Sequence, residues 1–418
     1  MKYSFVNTIG KVTEKIYSEA FLDNSRISRK DFTRDRKMSF TDYIFFILSN
    51  TKKSLQSALF AFMKEMKTGK DTYSKQAFSK GRNRIKAEAF LELFNILTKS
   101  FYEDADYSTF KGYRVSAIDG TKYNLPYSEE LLSNFGMQKT ANMVQSLGSC
   151  LYDVLNGIML DVRMCRVDAS ERDIAVQHLT ELEKIATEKE LILMDRGYPA
   201  SGLFEEIDKA GFKYISRCEP NFIKGMKLNS DDEVITYTFC NTKITLNLRV
   251  VKITLDNGNT ETLVTNLLDK DFTKEDLKQL YSMRWCIEEC YKNLKTKLQI
   301  ENFSGTSKLA VLQDFYATMF LANCVGMIDF ENRLVLQDKN TNAKLKHEYK
   351  LNTSMIISSL KLNVIEMVST KSNIKRRKIY NSILSSLKSC LVAVVPNRHF
   401  PRVRKHPSCK FPISINSL

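Results

Sequence analysis

The sequence is poor in histidine, and its cysteines show no paired spacing. It has four histidines and nine cysteines in 418 residues, and only Cys286 and Cys290 lie close together on one predicted helix. A structural zinc site needs four such ligands at characteristic spacings, so we expect none here. The scattered cysteines favour buried free thiols and a reducing compartment.

Long apolar runs and glycine-rich cofactor motifs are also missing. The aromatic and aliphatic run at residues 43–48 is far shorter than the roughly 20 residues that a bilayer requires. The N-terminus lacks the basic, apolar and small-residue pattern of a secretion signal. No Walker-type or dinucleotide-binding glycine motif and no zincin histidine pair is present, which disfavours those enzyme classes. We therefore expect a cytoplasmic protein without a membrane partner.

Acidic residues are absent from the C-terminal end. Residues 371–418 contain eleven Lys and Arg and no Asp or Glu, and residues 1–110 contain twenty basic and thirteen acidic residues. Because the whole chain carries +15, residues 111–370 carry −3. Basic ends around a near-neutral middle favour contact with a polyanion such as DNA, although a solvated basic surface has the same composition.

Residues 273–298 predict a helix with two distinct faces. Thr273 suits the N-cap, with Asp276 three residues later. At roughly 100° per residue, one arc of about 60° carries four polar side chains, and Glu289 points about 100° away from it. Those four are Tyr281, Arg284, Glu288 and Lys295. The adjacent stripe is apolar, as in a helix packed on a sheet: Leu277, Leu280, Ile287, Tyr291, Leu294 and Leu298. Taken alone, the Arg284 and Glu288 spacing also suits an ordinary surface ion pair.

Two aspartates follow predicted strands. Residues 113–118 alternate as a strand and lead to Asp119, and the buried apolar run 191–194 leads to Asp195. An Asp-Gly pair is also a common turn former. Between them, residues 144–153 and 158–164 predict a hairpin, and residues 174–186 predict a helix in which His178 is packed. This is the ribonuclease H order of elements, in which the strands before Asp119 and Asp195 are neighbours.

The helix spells Tyr-x2-Arg-x3-Glu-x6-Lys, and the aspartates lie in Ala-Ile-Asp119-Gly-Thr and Asp195-Arg-Gly-Tyr. With these motifs the chain resembles the DDE cut-and-paste transposases of bacterial insertion sequences, of the insertion sequence 4 type. The resemblance implies that Asp119, Asp195 and Glu288 are catalytic and bind two Mg²⁺ ions, with Mn²⁺ as a substitute. It also implies that Tyr281, Arg284 and Lys295 contact DNA, and we add Trp285 and Arg196 as DNA-binding candidates. Some members stabilise a flipped base with a tryptophan in an inserted segment; here Phe222, Tyr237 or Phe239 would have to serve.

The N-terminal residues predict a helix pair. Residues 53–66 show an apolar stripe, residues 67–71 break it, and a second helix is predicted from residue 72 to residue 90. Many helix pairs of this kind do not touch DNA, but the family resemblance favours a helix-turn-helix. The DNA-facing candidates on the second helix are Lys75, Gln76, Lys80, Arg82 and Arg84.

The predicted fold class is a multidomain α/β protein with a ribonuclease H-like mixed sheet flanked by helices. The expected parts are a helical DNA-binding domain at 1–110, a catalytic domain at 111–217 and 267–334, a β-rich insertion at 218–266 and a basic helical region at 335–418. The expected function is a dimeric DNA transposase that cuts double-stranded element ends through a hairpin and joins them to target DNA. The alternatives are a ribonuclease H-fold nuclease without strand transfer and a non-catalytic DNA-binding protein derived from a transposase.

Overall fold

A computed structural model describes residues 3–66, 73–138, 142–185, 189–219, 222–223, 228–254, 258, 260–342 and 347–394. The chain divides into two compact units. The first is formed by Met1–Asp106, Tyr123–Gln145 and Leu294–Leu418, and the second by Tyr107–Lys122 and Ser146–Asn293. The predicted helix break at residues 67–71 and residues 395–418 of the predicted basic region lie outside the described residues.

The helices and strands follow each other along the chain with these bounds. The helices are α1 (Phe5–Ile16), α2 (Glu19–Ser25), α3 (Phe40–Leu48), α4 (Leu55–Met66), α5 (Lys75–Arg82), α6 (Glu88–Asp104), α7 (Glu129–Phe135), α8 (Glu171–Ile185), α9 (Ser201–Lys209), α10 (Lys274–Met283), α11 (Trp285–Thr296), α12 (Lys308–Asn342), α13 (Thr353–Ser369) and α14 (Asn373–Lys388). The strands are β1 (Tyr113–Asn124), β2 (Met137–Gln138), β3 (Met143–Asp153), β4 (Ile158–Arg166), β5 (Lys189–Met194), β6 (Lys213–Cys218), β7 (Asp232–Thr238), β8 (Thr245–Thr254), β9 (Thr260–Thr265), β10 (Glu348–Leu351) and β11 (Leu391–Val394).

The first unit is mainly helical, and α12 runs through its core against α3 and α6. Within α12, the segment Lys308–Arg333 is long and apolar enough to cross a membrane by length and composition, and 72% of its most apolar window is buried inside the protein. A core helix passes the same test, and burial on this scale is typical of one. By its burial this segment is a core helix of the first unit, and it does not contradict the expectation that no segment spans a membrane.

The strands that lead to Asp119 and Asp195 are neighbours in the sheet, as predicted. Among the described strands its order is β2-β3-β1-β5-β6-β9-β8-β7, with β4 paired to β3. Strand β1 pairs in parallel with β5, and β5 pairs in parallel with β6. Arg114 lies opposite Glu190 in this register, and the two side chains form a fully buried ion pair of 2.5 Å. Because a slip by one residue would leave both charges buried and unpaired, this pair fixes the β1–β5 register.

The segment expected to form a β-rich insertion does contain strands, and they extend the central sheet. Strands β7, β8 and β9 are consecutive antiparallel neighbours, and β9 pairs with β6. Strand β6 in turn lies next to β5, so the segment continues the sheet that carries the aspartates. Backbone hydrogen bonds therefore connect the whole segment to the catalytic strands.

The second helix of the predicted N-terminal pair is shorter than the sequence pattern indicated. Helix α5 ends at Arg82, where the N–H groups of Arg84 and Ile85 form tight-turn hydrogen bonds to Gly81 and Arg82. Ile85 then forms a β-bridge with Arg26, which draws the chain away from the helix axis before α6 begins. The prediction of one helix through residue 90 is therefore wrong. Periodicity alone missed the break because apolar residues continue on both sides of it.

Candidate active site

Asp119 lies in the middle of β1 and next to Asp195. Ala117 is in register with Leu193, so the parallel pairing brings Asp119 beside the residue that follows β5. The strand continues through Gly120 to Asn124, and the alternative of an Asp-Gly turn is therefore wrong. The Asp119 carbonyl accepts hydrogen bonds from the Tyr291 hydroxyl at 2.6 Å and the Ser149 hydroxyl at 3.4 Å. These contacts fix the backbone that carries the carboxylate.

The Asp119 carboxyl is an unusually weak acid for an aspartate. Burial raises its pKa to about 7, and the charges of Asp195 and Glu171 act in the same direction. The Gly120 N–H, which donates to Oδ1 at 2.9 Å, and the charge of Arg284 oppose this shift. A carboxyl in this state is stabilised strongly by any cation that comes close to it.

Asp195 begins a tight turn at the end of β5. Its Oδ1 accepts the Gly197 N–H at 2.7 Å, and its carbonyl accepts the Tyr198 N–H at 3.3 Å. The Asp195 side chain is half-buried, whereas Arg196 is exposed and lies 3.5 Å from the Glu219 carboxylate. One carboxylate oxygen is therefore used to shape the turn, and the charge of Asp195 acts on the neighbouring Asp119.

Glu288 is held by Arg284 at a break in the predicted helix. The capping box at Thr273 and Asp276 is present, but α10 ends at Met283 and α11 begins at Trp285. Arg284 is only 7% exposed and donates to Glu288 Oε1 at 3.0 Å, so this is not the surface pair that the spacing alone allowed. The charge of Arg284 also acts on Asp119. Arg284 therefore connects the Glu288 carboxylate electrostatically to the aspartate cluster.

The predicted apolar stripe of this helix pair is confirmed. Every member is buried: Leu277, Leu280, Ile287, Tyr291, Leu294 and Leu298. Since the Tyr291 hydroxyl donates to the Asp119 carbonyl, α11 is fastened to β1 one helical turn beyond Glu288. This contact brings the turn of Glu288 towards the aspartates.

The remaining predicted DNA contacts differ in accessibility. Tyr281 is 6% exposed, and the Arg284 guanidinium lies over both the Tyr281 and Trp285 rings, so neither Tyr281 nor Arg284 is free to touch DNA in this state. Trp285, by contrast, is 58% exposed. Lys295 is half-buried near the end of α11, and its ammonium lies 5.4 Å from the centre of the Tyr123 ring.

One of the DNA-binding candidates predicted on α5 is buried, whereas most of the others are exposed. Arg82 is 2% exposed and bonds to Gln313, Ser304, Asp314 and the Ala310 carbonyl. The prediction that Arg82 contacts DNA is therefore wrong, because this guanidinium holds α5 against α12. The other candidates are accessible to different degrees: Lys75, Gln76 and Lys80 are exposed, and Arg84 is half-buried with its Nε 3.6 Å from Asp31.

Sequence analysis missed Glu171, which stands beside the aspartates. A Cβ placed on Gly120 would lie 2.2 Å from Glu171 Oε1, so this carboxylate touches the residue after Asp119. Helix α8 begins at Glu171, three residues before the predicted start. The signal was present: Ser170 accepts the Asp173 N–H, and a serine followed by acidic residues is typical of a helix N-terminus.

A buried hydrogen-bond network supports the site from behind. The Asp161 carboxylate bonds to His178 Nδ1 at 2.7 Å, and His178 Nε2 bonds to the Ser149 hydroxyl at 2.9 Å. Although burial alone would raise the pKa of Asp161, the hydrogen bond and charge of His178 and the charge of Arg163 hold it below its usual range. His178 is fully buried, which confirms that it is packed and not exposed.

The donor groups near Asp119 suit a hard divalent cation by their chemistry. In the described part of the chain, no set of three or more His, Cys, Asp or Glu side chains is arranged to hold a metal ion. Asp119, Asp195 and Glu171 nevertheless offer the carboxylate oxygens that such a cation prefers. The buried Tyr198 hydroxyl has no hydrogen-bond partner among the described residues. Burial raises its pKa, and the charges of all three acids raise it further. These residues therefore suit Mg²⁺ or Mn²⁺ after side-chain rearrangement.

Comparison with known protein families and structures assigns the chain to a family. The family described as "Transposase DDE domain" matches residues 110–324, which is more than half of the sequence. No curated protein matches. Among solved structures, the chain is similar to a piggyBac transposase in a cryo-EM synaptic complex with hairpin DNA, with a TM-score of 0.46 and 8% identity over 93% of this chain and 86% of that one. The family match includes Asp119, Asp195 and Glu288, and the chain belongs to the transposase DDE domain family.

Proposed function

We propose that the protein is a cut-and-paste DNA transposase of the insertion sequence 4 type. It cleaves the ends of its element, passes through a hairpin on the element end, and joins the freed 3′-OH to target DNA. The observation that carries this proposal is the parallel pairing of β1 with β5, which brings Asp119 and Asp195 together beside the helix of Glu288. Family membership supports the same reaction class.

Asp119, Asp195 and Glu288 are the residues that would hold two Mg²⁺ ions, with Mn²⁺ as a substitute. Bound divalent ions supply a nucleophile at neutral pH and stabilise charge on the leaving oxygen of a phosphodiester. The protein's own contribution is rigidity: the Tyr291 hydroxyl and the Ser149 hydroxyl fix the Asp119 backbone, and the Gly197 N–H fixes Asp195. Fixed ligands lower the reorganisation needed when the DNA strand is bound.

Arg284 has two partners in the proposed cycle. Without DNA it neutralises Glu288, which keeps three neighbouring acids from repelling one another. If Glu288 were to hold a cation, the guanidinium would be available to a phosphate oxygen beside the cut, with Tyr281 and Trp285 next to it. Lys295 contributes a further phosphate contact. Tyr281 and Arg284 thus touch DNA only after the Arg284–Glu288 pair has opened.

End recognition is assigned to the exposed polar face of α5. Lys75, Gln76 and Lys80 are exposed there, and the buried Arg82 guanidinium keeps the helix on its support. A cationic face on a fixed helix suits DNA backbone and groove contacts. The protein acts as a homodimer in the cytoplasm, because two element ends must be held together before they are joined.

The test uses DNA from either side of the gene, where inverted repeats are expected. Purified protein is incubated with a labelled end duplex, a target plasmid and Mg²⁺. The proposal expects cleaved ends, hairpins and joined products for the wild type and for Asp173→Asn, an exposed control on α8. Asp195→Asn should give none. Cleavage without joining would indicate a nuclease, and binding without metal-dependent cleavage would indicate a non-catalytic DNA-binding protein.

A further inference from the structure

Glu171 lies next to Gly120, the residue that follows Asp119. Its Oε1 occupies the space that a side chain at residue 120 would fill, since a Cβ on Gly120 would come within 2.2 Å of it. The absence of a side chain at Gly120 therefore allows a glutamate from α8 to reach the strand that carries Asp119. Any residue other than glycine at this position would displace the carboxylate.

Helix α8 is also tied to the turn of Asp195. The neighbouring Arg172 donates its Nε–H to the Gly197 carbonyl at 3.2 Å. Glu171 is thus held between two anchored segments, one that follows Asp119 and one that follows Asp195. Burial raises the pKa of the Glu171 carboxyl, and the charge of Asp195 raises it further, which is the direction expected of acids gathered in one place.

The Glu171 carboxylate has no ion pair or hydrogen bond with any described side chain. Lys122 acts on it only as a more distant charge. A half-buried carboxylate next to two other acids costs folding free energy unless a cation compensates for it. Such an arrangement is typical of a functional site and not of a structural contact.

The Tyr198 hydroxyl gives an independent indication. Tyr198 is 1% exposed, and its hydroxyl has no hydrogen-bond partner among the described residues. Burial raises the pKa of this hydroxyl, and the charges of Glu171, Asp119 and Asp195 raise it further, so the hydroxyl lies within electrostatic range of the cluster. A buried hydroxyl without a partner reduces the stability of the fold, and an oxygen ligand at this place would remove that cost.

We propose that Glu171 is a further carboxylate ligand of the divalent-cation site, acting together with Asp119 and Asp195, and that the Tyr198 hydroxyl donates a hydrogen bond to an oxygen bound there. The ligand is a hard divalent cation, Mg²⁺ or Mn²⁺, which binds six oxygens and keeps several as water. This inference rests on the proposed function, because it adds a residue to the same site. It gives the cation a ligand from α8 that does not depend on Glu288 leaving Arg284.

The experiment measures Mn²⁺ binding to the metal-free full chain, without DNA, by titration calorimetry and by the electron paramagnetic resonance of free Mn²⁺. We expect Glu171→Gln to weaken Mn²⁺ binding by about tenfold or more, the scale found when a supporting ligand is removed. Asp173→Asn, which removes the same charge from an exposed site on α8, should bind like the wild type. Glu171→Asp keeps the charge on a shorter side chain and should fall between the two.

The outcomes separate this inference from the proposed function. If Asp195→Asn loses Mn²⁺ while Glu171→Gln binds like the wild type, the inference is wrong and the proposed function stands. If neither substitution changes Mn²⁺ binding, the cluster is not the cation site and both fail. A purely structural Glu171 would instead lower the melting temperature of the metal-free protein on substitution and leave the dissociation constant unchanged, and Glu171→Asp would then bind Mn²⁺ normally.

Discussion

Two groups of polar residues lie near Asp119, a buried rear group and a front group whose acids are half-buried, and they differ in how their polar atoms are satisfied. Behind it, Asp161, His178 and Ser149 form a continuous hydrogen-bond chain. In front of it, Asp195 and Glu171 meet the Asp119 carboxyl without a cation paired to Glu171, and the Tyr198 hydroxyl has no partner among the described residues.

The difference indicates which group supports the fold and which performs the chemistry. Satisfied buried polar groups contribute to stability and fix the backbone, whereas unsatisfied ones reduce stability and persist where function requires them. The two groups are connected through one atom, because Ser149 donates to the Asp119 carbonyl. The same substitution type should therefore have opposite effects in the two groups.

The largest expected effect is on catalysis by the front group. Asp195→Asn should reduce Mg²⁺-dependent cleavage of an end duplex by about 10³-fold or more, because it removes a ligand of the ions that stabilise the transition state. Glu289→Gln, the exposed neighbour of Glu288, is the matched control and should cleave normally. Cleavage by Asp195→Asn within tenfold of the wild-type rate would contradict the site assignment.

The next effect is on folding and concerns the rear group. His178→Ala should lower the free energy of unfolding by about 3 kcal/mol, because it opens a cavity and leaves the buried Asp161 without its main partner. Thr180→Ala, at an exposed position on the same helix, should change it little. Urea titration followed by circular dichroism measures both, and a decrease of less than 1 kcal/mol for His178→Ala would show that the network is not structural.

The third effect is a change in the free energy of unfolding that has opposite signs in the two groups. In metal-free buffer, Glu171→Gln should raise the unfolding free energy by about 0.5–1 kcal/mol, because it removes like-charge repulsion. Asp161→Asn should lower it, because it removes the charged hydrogen-bond partner of the His178 ring and of the Arg163 guanidinium. Melting curves of the two variants with excess chelator measure the effect. Equal destabilisation by both substitutions would remove the distinction between the groups.

The pH dependence of the rear group follows from the lowered pKa of Asp161. Because its pKa is depressed in the folded state, its contribution to stability is present above the unfolded-state value of about 4 and is lost as the pH falls through the folded-state pKa. The stability difference between the wild type and Asp161→Asn should therefore shrink as the pH falls below about 4. A difference that stayed constant over that range would contradict the assigned role of the carboxylate.

The smallest expected effect concerns α5. Replacing Lys75 and Lys80 together by Ala should weaken binding of the end duplex. The slope of the logarithm of the association constant against the logarithm of the salt concentration should become shallower by roughly 0.9 for each phosphate that the protein no longer neutralises. Arg82→Ala should instead lower the melting temperature, because it removes the buried hydrogen bonds to α12. Fluorescence anisotropy at several salt concentrations gives the slope. An unchanged slope in the double variant would exclude α5 as a DNA-binding helix.

Sequence periodicity was sufficient where a buried face determined the structure. The apolar stripe of α10 and α11 was predicted because burial repeats at the helical period, and the β1–β5 pairing was predicted from the order of the elements along the chain. Glu171 was missed because only the apolar residues were used to locate the start of α8. Arg82 was assigned to DNA because charge favours the surface, and only the tertiary partner Asp314 explains its burial.

Contacts between distant segments account for the remaining errors. The helical spacing indicated the Arg284–Glu288 pair, but the burial of Arg284 depends on tertiary packing that the helical pattern does not report. The Tyr291 bond to Asp119 joins residues 172 positions apart. Such contacts decide the geometry of the site, whereas local sequence decides only which residues are available to it.

The most direct test of the central claim is anomalous diffraction from crystals of the protein soaked in Mn²⁺. We predict a manganese peak between the carboxylates of Asp119 and Asp195, at roughly 2.0–2.3 Å from their oxygens, with a Glu171 oxygen in the same coordination shell. Manganese peaks elsewhere in the crystal, with no peak between Asp119 and Asp195, would contradict the account.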